Sequence, residues 1–178
     1  MKKPLIWSAI SLVGVALVML LVGISMPRVI EVSRSVLINA PADEVYPHAA
    51  DLRAFHKGSP WSGIDPGMTV EFSGPDAGAG QKMSWTSPGD EDSSGSKEIV
   101  AVEENRLVVS ELDLGGMGTA TARLDLEPEG DATRVTWSLE TDLGNNPLAR
   151  MYGRTMEINV ASQFDTGLAR LKRTVEER

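Results

Sequence analysis

The sequence predicts an α+β fold in which a seven-stranded antiparallel sheet is covered by one long C-terminal helix and preceded by one transmembrane helix. Three observations predict it. Leu5 to Met26 is a run of 22 residues without a formal charge, directly after Lys2 and Lys3. Short runs that alternate apolar and polar residues follow at close spacing from Val29 to Leu139, the pattern of antiparallel strands joined by tight turns. From Pro147 onward, apolar residues recur every three or four positions as far as Val175, the period of an amphipathic helix.

At about 1.5 Å per residue the uncharged run spans roughly 33 Å, close to the roughly 30 Å hydrocarbon thickness of a bilayer. A secretory signal would carry an apolar core of about 7 to 15 residues and a cleavage motif of small residues. Here the run ends Gly23-Ile24-Ser25-Met26-Pro27, with a Met-Pro step where cleavage would fall. Residues 1–26 therefore read as an uncleaved anchor and residues 27–178 as one domain. Lys2, Lys3 and the amino terminus lie on one side of the span, and Arg28 and Arg34, partly offset by Glu31, lie on the other. The positive-inside bias places the amino terminus in the cytoplasm and the domain outside it.

In the domain, Ile30, Val32, Val36 and Ile38 form one face of a first strand that Arg34 interrupts. Ala40-Pro41 opens a short helix, with proline suited to the first helical position, and Pro47 is expected to kink or end it. Asp51 can cap a second short helix, and Lys57 to Gly67 reads as an ordered loop carrying Trp61. Six strands follow. Val70 and Phe72 share a face, as do Met83 and Trp85; Lys97 to Val102 and Leu107 to Leu114 pair across Glu103-Glu104-Asn105. Ala120, Ala122, Leu124 and Leu126 alternate with polar residues, and Val135, Trp137 and Leu139 repeat the pattern. Asn146 and Pro147 mark the start of the closing helix as cap and first position. Its stripe is Leu148, Tyr152, Met156, Val160, Phe164, Leu168, Leu171 and Val175. A stripe that long needs a cover, and the apolar face of the sheet supplies one.

The chain carries −8, and setting aside Lys2 and Lys3 leaves 15 basic against 25 acidic residues, or −10 on the domain. Such a surface repels nucleic-acid phosphates and anionic headgroups, so nucleic acid is excluded as a partner. With no cysteine there is no disulfide, thiolate nucleophile or thiolate metal site. His48 and His56 are too few for a histidine-rich metal site and are expected on solvated helices. Asp90-Glu91-Asp92 lacks a calcium-loop pattern and reads as solvated. No cofactor motif and no metal site is expected.

Several strings in this order resemble the SRPBCC superfamily, the START-like or polyketide cyclase/dehydrase and lipid-transport group. They are Ile38-Asn-Ala-Pro-Ala-Asp-Glu-Val45, Ser59-Pro-Trp61, Phe72-Ser-Gly-Pro-Asp-Ala-Gly78-Ala-Gly80, Gly118-Thr-Ala-Thr, Leu126 to Trp137, and Phe164-Asp-Thr-Gly-Leu-Ala-Arg-Leu171. The resemblance covers residues 28–173 and implies a helix-grip, Bet v 1-like fold with an apolar cavity between the long helix and the sheet. Gly58 stands where a bulky aromatic is common in the group, which widens the mouth or removes one wall.

Within that frame the candidate ligand-contacting residues are Trp61, Met83, Trp85, Leu112, Trp137, Met156, Val160 and Phe164. Aromatic and methionine side chains suit an adaptable apolar pocket, and the same residues could equally be packed core. Gly153 and Gly167 each cost about 1 kcal/mol relative to alanine inside a helix, so either close packing or room for a ligand should require them. The expected function is membrane-anchored binding or transport of a hydrophobic small molecule such as a lipid, isoprenoid or polyketide-like compound. The alternatives are a cyclase- or hydratase-type enzyme using the same cavity and a protein-interaction module without ligand. For the enzyme, Glu111 or Asp113 would be the base, but alternation sets both opposite Val108, Leu112 and Leu114.

Overall fold

The computed structural model describes residues 3–58, 67–89, 94–115 and 118–177. Helix α1 (Lys3–Ser25) leads into strand β1 (Val29–Ile38) and two short helices, α2 (Ala42–Ala49) and α3 (Leu52–Gly58). Strands β2 (Thr69–Ser73), β3 (Lys82–Thr86), β4 (Gly95–Glu103), β5 (Leu107–Asp113), β6 (Thr119–Glu129) and β7 (Ala132–Asp142) follow, and helix α4 (Pro147–Glu176) closes the chain. They build one antiparallel sheet in the order β1-β7-β6-β5-β4-β3-β2. Consecutive strands from β2 to β7 are neighbours, and β1 returns to pair with β7 along its whole length.

The register explains the curvature and the core. Phe72, Met83, Lys97, Leu112, Ala120, Thr141 and Ile30 are aligned in one row across all seven strands, and paired residues on neighbouring strands share a face. Small buried side chains, Ser110, Ala120 and Ala122, occupy the middle of the inner face, and a bulge between Ile99 and Ala101 bends β4. α4 lies along β1 and reaches β7, and Val32, Leu124, Trp137, Phe164 and Leu168 join one continuous buried cluster. Asn146 caps α4 as its side chain accepts from the Leu148 and Ala149 N–H groups, with Pro147 in the first turn.

Three local expectations need correction. Pro41 is the N-cap residue of α2, and that helix runs through Pro47 to Ala49. The bond that Pro47 forgoes is the one to the carbonyl of Asp43, an exposed first-turn residue that water can serve. His56 is half-buried, its ring 6.0 Å from that of Phe72, and His48 is half-buried as well. The stripe of α4 is not buried throughout: Leu148 is 66 % and Tyr152 59 % exposed. The first turns of α4 instead bring Pro147 against Gly23 of α1 and Gly153 against Ile30 and Leu143, which turns the larger side chains outward.

α1 is one unbroken helix of 23 residues that coincides with the uncharged run and packs its C-terminal end on α4. The join is polar as well. Arg150 donates to the Ile24 carbonyl (3.2 Å), the Gly144 carbonyl (2.9 Å) and the Asn145 side chain (3.1 Å). Arg28 pairs with Asp142 at 2.6 Å, and its hydrogen bonds hold that carboxyl down to about 2. Among the described residues, no helix is long and apolar enough to cross a membrane. The side chains of residues 3–12 and 16 lie outside that description, as do Trp61 and Asp90-Glu91-Asp92 altogether.

Candidate ligand-binding site

α3 is held in place by a buried glutamine. Gln81, fully buried at the start of β3, accepts the Leu52 N–H (2.6 Å) through its carbonyl oxygen. Its amide donates to Asp51 (3.0 Å) and to the Asp76 carbonyl (2.6 Å). Asp51 in turn accepts the Arg53 N–H at 2.8 Å, the capping role that its position in the sequence suggested. This brace fixes the N-terminus of α3 against the sheet and so aims Phe55, one turn later, at α4.

Between α3 and α4 opens a pocket of about 320 Å³. Ala54, Phe55 and Lys57 line it from α3, and Gly167, Leu171 and Thr174 line it from α4. His48 of α2 completes the lining. The volume lies at the low end of the roughly 300 to 1,000 Å³ typical of small-molecule sites. Gly167 is buried and lies on its wall.

Behind Phe55 the interior is filled. The Phe55 ring meets Trp137 edge-on at 5.0 Å, and Trp137 stacks on Phe164 at 3.9 Å with their planes 8° apart. Met83, Leu112 and Val160 pack against the same cluster. Five of the anticipated contact residues, Met83, Leu112, Trp137, Val160 and Phe164, are thus brought together as core. Trp85 is half-buried over Gly95, where a Cβ would meet its ring, and Met156 is half-buried farther along α4. Trp61 falls outside the described residues. The open volume therefore lies beside the aromatic cluster, toward α3, and the space between Phe164 and the sheet is occupied by the Trp137 ring.

Lys97 was absent from the candidates read from sequence. It lies on the inner face of β4, flanked by Met83 and Leu112, with Nζ 4.4 Å from the centre of the Phe55 ring and 6.0 Å from that of Trp137. Among the described residues no salt bridge or hydrogen bond engages its ammonium, and burial pulls its pKa from 10.5 down to about 8. The two aromatic faces offset part of the cost of burying that charge. The available signal was its spacing: Lys97 and Ile99 are two apart on one strand and so share the buried face. Glu111 and Asp113 point outward and are exposed, and Asp113 spends an oxygen on the Gly115 N–H (3.0 Å). They are therefore not placed to act in the interior. Among the described residues no cluster of three or more histidine or acidic side chains could hold a metal ion.

Comparison with known structures agrees with this architecture. Norcoclaurine synthase from Thalictrum flavum superposes with a TM-score of 0.64 at 15 % identity, over 89 % of this chain and 92 % of that one. Ara h 8.0201 gives 0.60 at 13 % identity, over 84 % and 99 %. CalU16 from Micromonospora echinospora gives 0.56 at 18 % identity, over 82 % and 75 %. At such identities the likeness shows a shared fold and nothing finer. No curated protein matches the chain. The sheet wrapped on α4 is a Bet v 1-like helix-grip fold, and the model of one family matches residues 29–176, from the first strand to the last turn of α4. The chain belongs to that family, Polyketide cyclase / dehydrase and lipid transport, within the SRPBCC superfamily.

Proposed function

We propose that this protein binds an apolar small molecule at the pocket between α3 and α4, held at a membrane by its N-terminal helix. The observation that carries the binding reading is the pocket itself, walled by Ala54, Phe55, Gly167 and Leu171 and backed through Phe55 by the Trp137–Phe164 stack. An apolar guest there removes its own surface and that of the walls from water, worth roughly 25 cal/mol per Å² buried. Movement of Phe55 would extend the site toward Met83, Leu112 and Val160, with Trp85 and Met156 as outer contacts. To test it, the full chain in zwitterionic nanodiscs is titrated with the neutral probe N-phenyl-1-naphthylamine while tryptophan quenching is followed. Saturable quenching beyond that of empty discs is expected, and its absence overturns the reading.

For the anchor, the support is the uncharged run and the exposure of the described apolar side chains around α1, from Val13 to Ile24. A helix that is apolar on every side needs an apolar surrounding. The mature chain should retain residues 1–26 and resist extraction by carbonate, and an intact mass that begins near Pro27 overturns this. Protease added to spheroplasts should digest the domain, as expected for a domain outside the cytoplasm; protection there until lysis would place it inside.

A second reading, catalysis, is favoured by Lys97 alone. A lysine lowered to about 8 among aromatic rings is partly neutral near pH 7 to 8 and can serve as a base. That reading requires Lys97→Met to abolish turnover of a carbonyl substrate while probe binding persists.

A further inference from the structure

Outside α1, five large apolar side chains are exposed among the described residues, and three of them, Val29, Leu148 and Tyr152, flank the join between α1 and the domain. Single exposed apolar residues are ordinary; their gathering at one join is not. Leu148 and Tyr152 are four residues apart and so share a side of α4, turned away from the buried Gly153 and Phe164. The described side chains of α1 from Val13 to Val22 are exposed as well, and α1 meets the domain where Gly23 packs on Pro147. That contact also brings together the two longest stretches of the chain without an acidic residue, 1–30 and 143–156. Asp142, which borders the second, is paired with Arg28 at 2.6 Å.

Resting on the membrane reading of α1 above, we infer that the first two turns of α4, with Val29 beside them, form a docking surface that seats the domain in the interfacial layer of the same bilayer. Depth is the first argument. Gly23 lies three residues before the end of the uncharged run, about 4.5 Å along a helix, so α4 starts at the level where that run leaves the hydrocarbon. Chemistry is the second. Leu148 offers apolar surface to the acyl boundary, and Tyr152 has the amphipathic ring that suits the headgroup level. No carboxylate of 143–156 has to be brought against lipid, and Arg150 supplies a donor (3.2 Å) to the Ile24 carbonyl at the end of α1. Continuity is the third: the face extends the exposed apolar surface of α1, so the solvent that covers the one covers the other. Two attachments, a span and a seated helix end, then fix the tilt of the domain on the membrane.

The chain has no cysteine, so single positions can be labelled in the full protein. Leu148→Cys, Tyr152→Cys, Val18→Cys and Ile158→Cys, all at exposed positions, are each labelled with nitrobenzoxadiazole and placed in phosphatidylcholine nanodiscs that carry spin-labelled lipid. Ile158 is the reference: it is equally exposed on α4, but roughly 9 Å farther along and about 120° around the helix from Tyr152. A spin label at the headgroup should quench positions 148 and 152 at least about twofold more than position 158, and one deep in the acyl chain should quench position 18. Quenching at 148 and 152 no greater than at 158, with position 18 quenched, overturns the inference and leaves the anchor standing. An unquenched position 18 overturns both. Protection of 148 and 152 from aqueous iodide without quenching by lipid would give this face to a protein partner or a second copy, and overturns the inference too. Each of the two sites is read with the other side chain in place, so one misfolded variant does not decide the outcome.

Discussion

Gly153 and Gly167 lie on one helix, both are buried, and they are buried for opposite reasons. At Gly153 a Cβ would collide with the end of the Ile30 side chain and come within 2.7 Å of the end of Leu143, so a side chain there must displace both from where α4 meets β1. At Gly167 the backbone lines the pocket of about 320 Å³, so on the binding reading proposed above the missing side chain leaves room for a guest. The turns of α4 beside α1 are closed, with Gly23 equally tight against Pro147 (2.6 Å from a Cβ to its carbonyl oxygen). The far turns, about 20 residues and hence roughly 30 Å away, are open. One residue type on one helix thus marks packing at one end and a site at the other, and only its neighbours tell which.

The largest effect should come where the open end meets the core. Phe164 is 1 % exposed and stacked on Trp137, so Phe164→Ala should cost about 3–5 kcal/mol in a denaturant melt. A loss well below that would mean the pocket extends behind Phe55 and that the boundary drawn here is too shallow. Next, Gly153→Leu should cost about 1–3 kcal/mol, because the added atoms must displace Ile30 and Leu143. A neutral result would erase the contrast from its closed side.

Lys97 reports whether the interior under Phe55 is dry. Its pKa is lowered from 10.5 to about 8, so between those values the unfolded chain holds the extra proton and stability should rise with pH. Below about 8 the penalty is fully present and flat. Lys97→Met should therefore stabilise the protein at pH 7, on the order of 1–3 kcal/mol, and abolish the rise, as urea melts at pH 7 to 10 would measure. A wild type without that rise would mean that water reaches the ammonium. The smallest change in stability belongs to Gly167→Leu. Replacing glycine with a good helix former is worth up to about 1 kcal/mol, so its melting midpoint should stay at or above that of the wild type while probe binding falls. Destabilisation by 1–3 kcal/mol with unchanged binding would make the two ends of α4 alike and remove the pocket as a site.

The sequence alone determined whatever depends on local period and local capping. Strand alternation and turn residues define the seven strands, and Asn146-Pro147 starts α4 at the residue observed. Asp51 caps α3, and alternation turns Glu111 and Asp113 outward, because in each case the partner groups are near in sequence or dictated by the two-residue repeat of a strand. Tertiary structure decided what depends on distant neighbours. It buried Gln81 so that its amide reaches residues 5 and 30 positions away, and set the Lys97 ammonium over a ring contributed by α3. It also exposed Leu148 and Tyr152 on a stripe whose period alone would bury them, since α1 and β1 take the smaller face beside it. Period fixes which side chains share a face, but only the packing of other elements decides whether that face meets core, pocket or solvent.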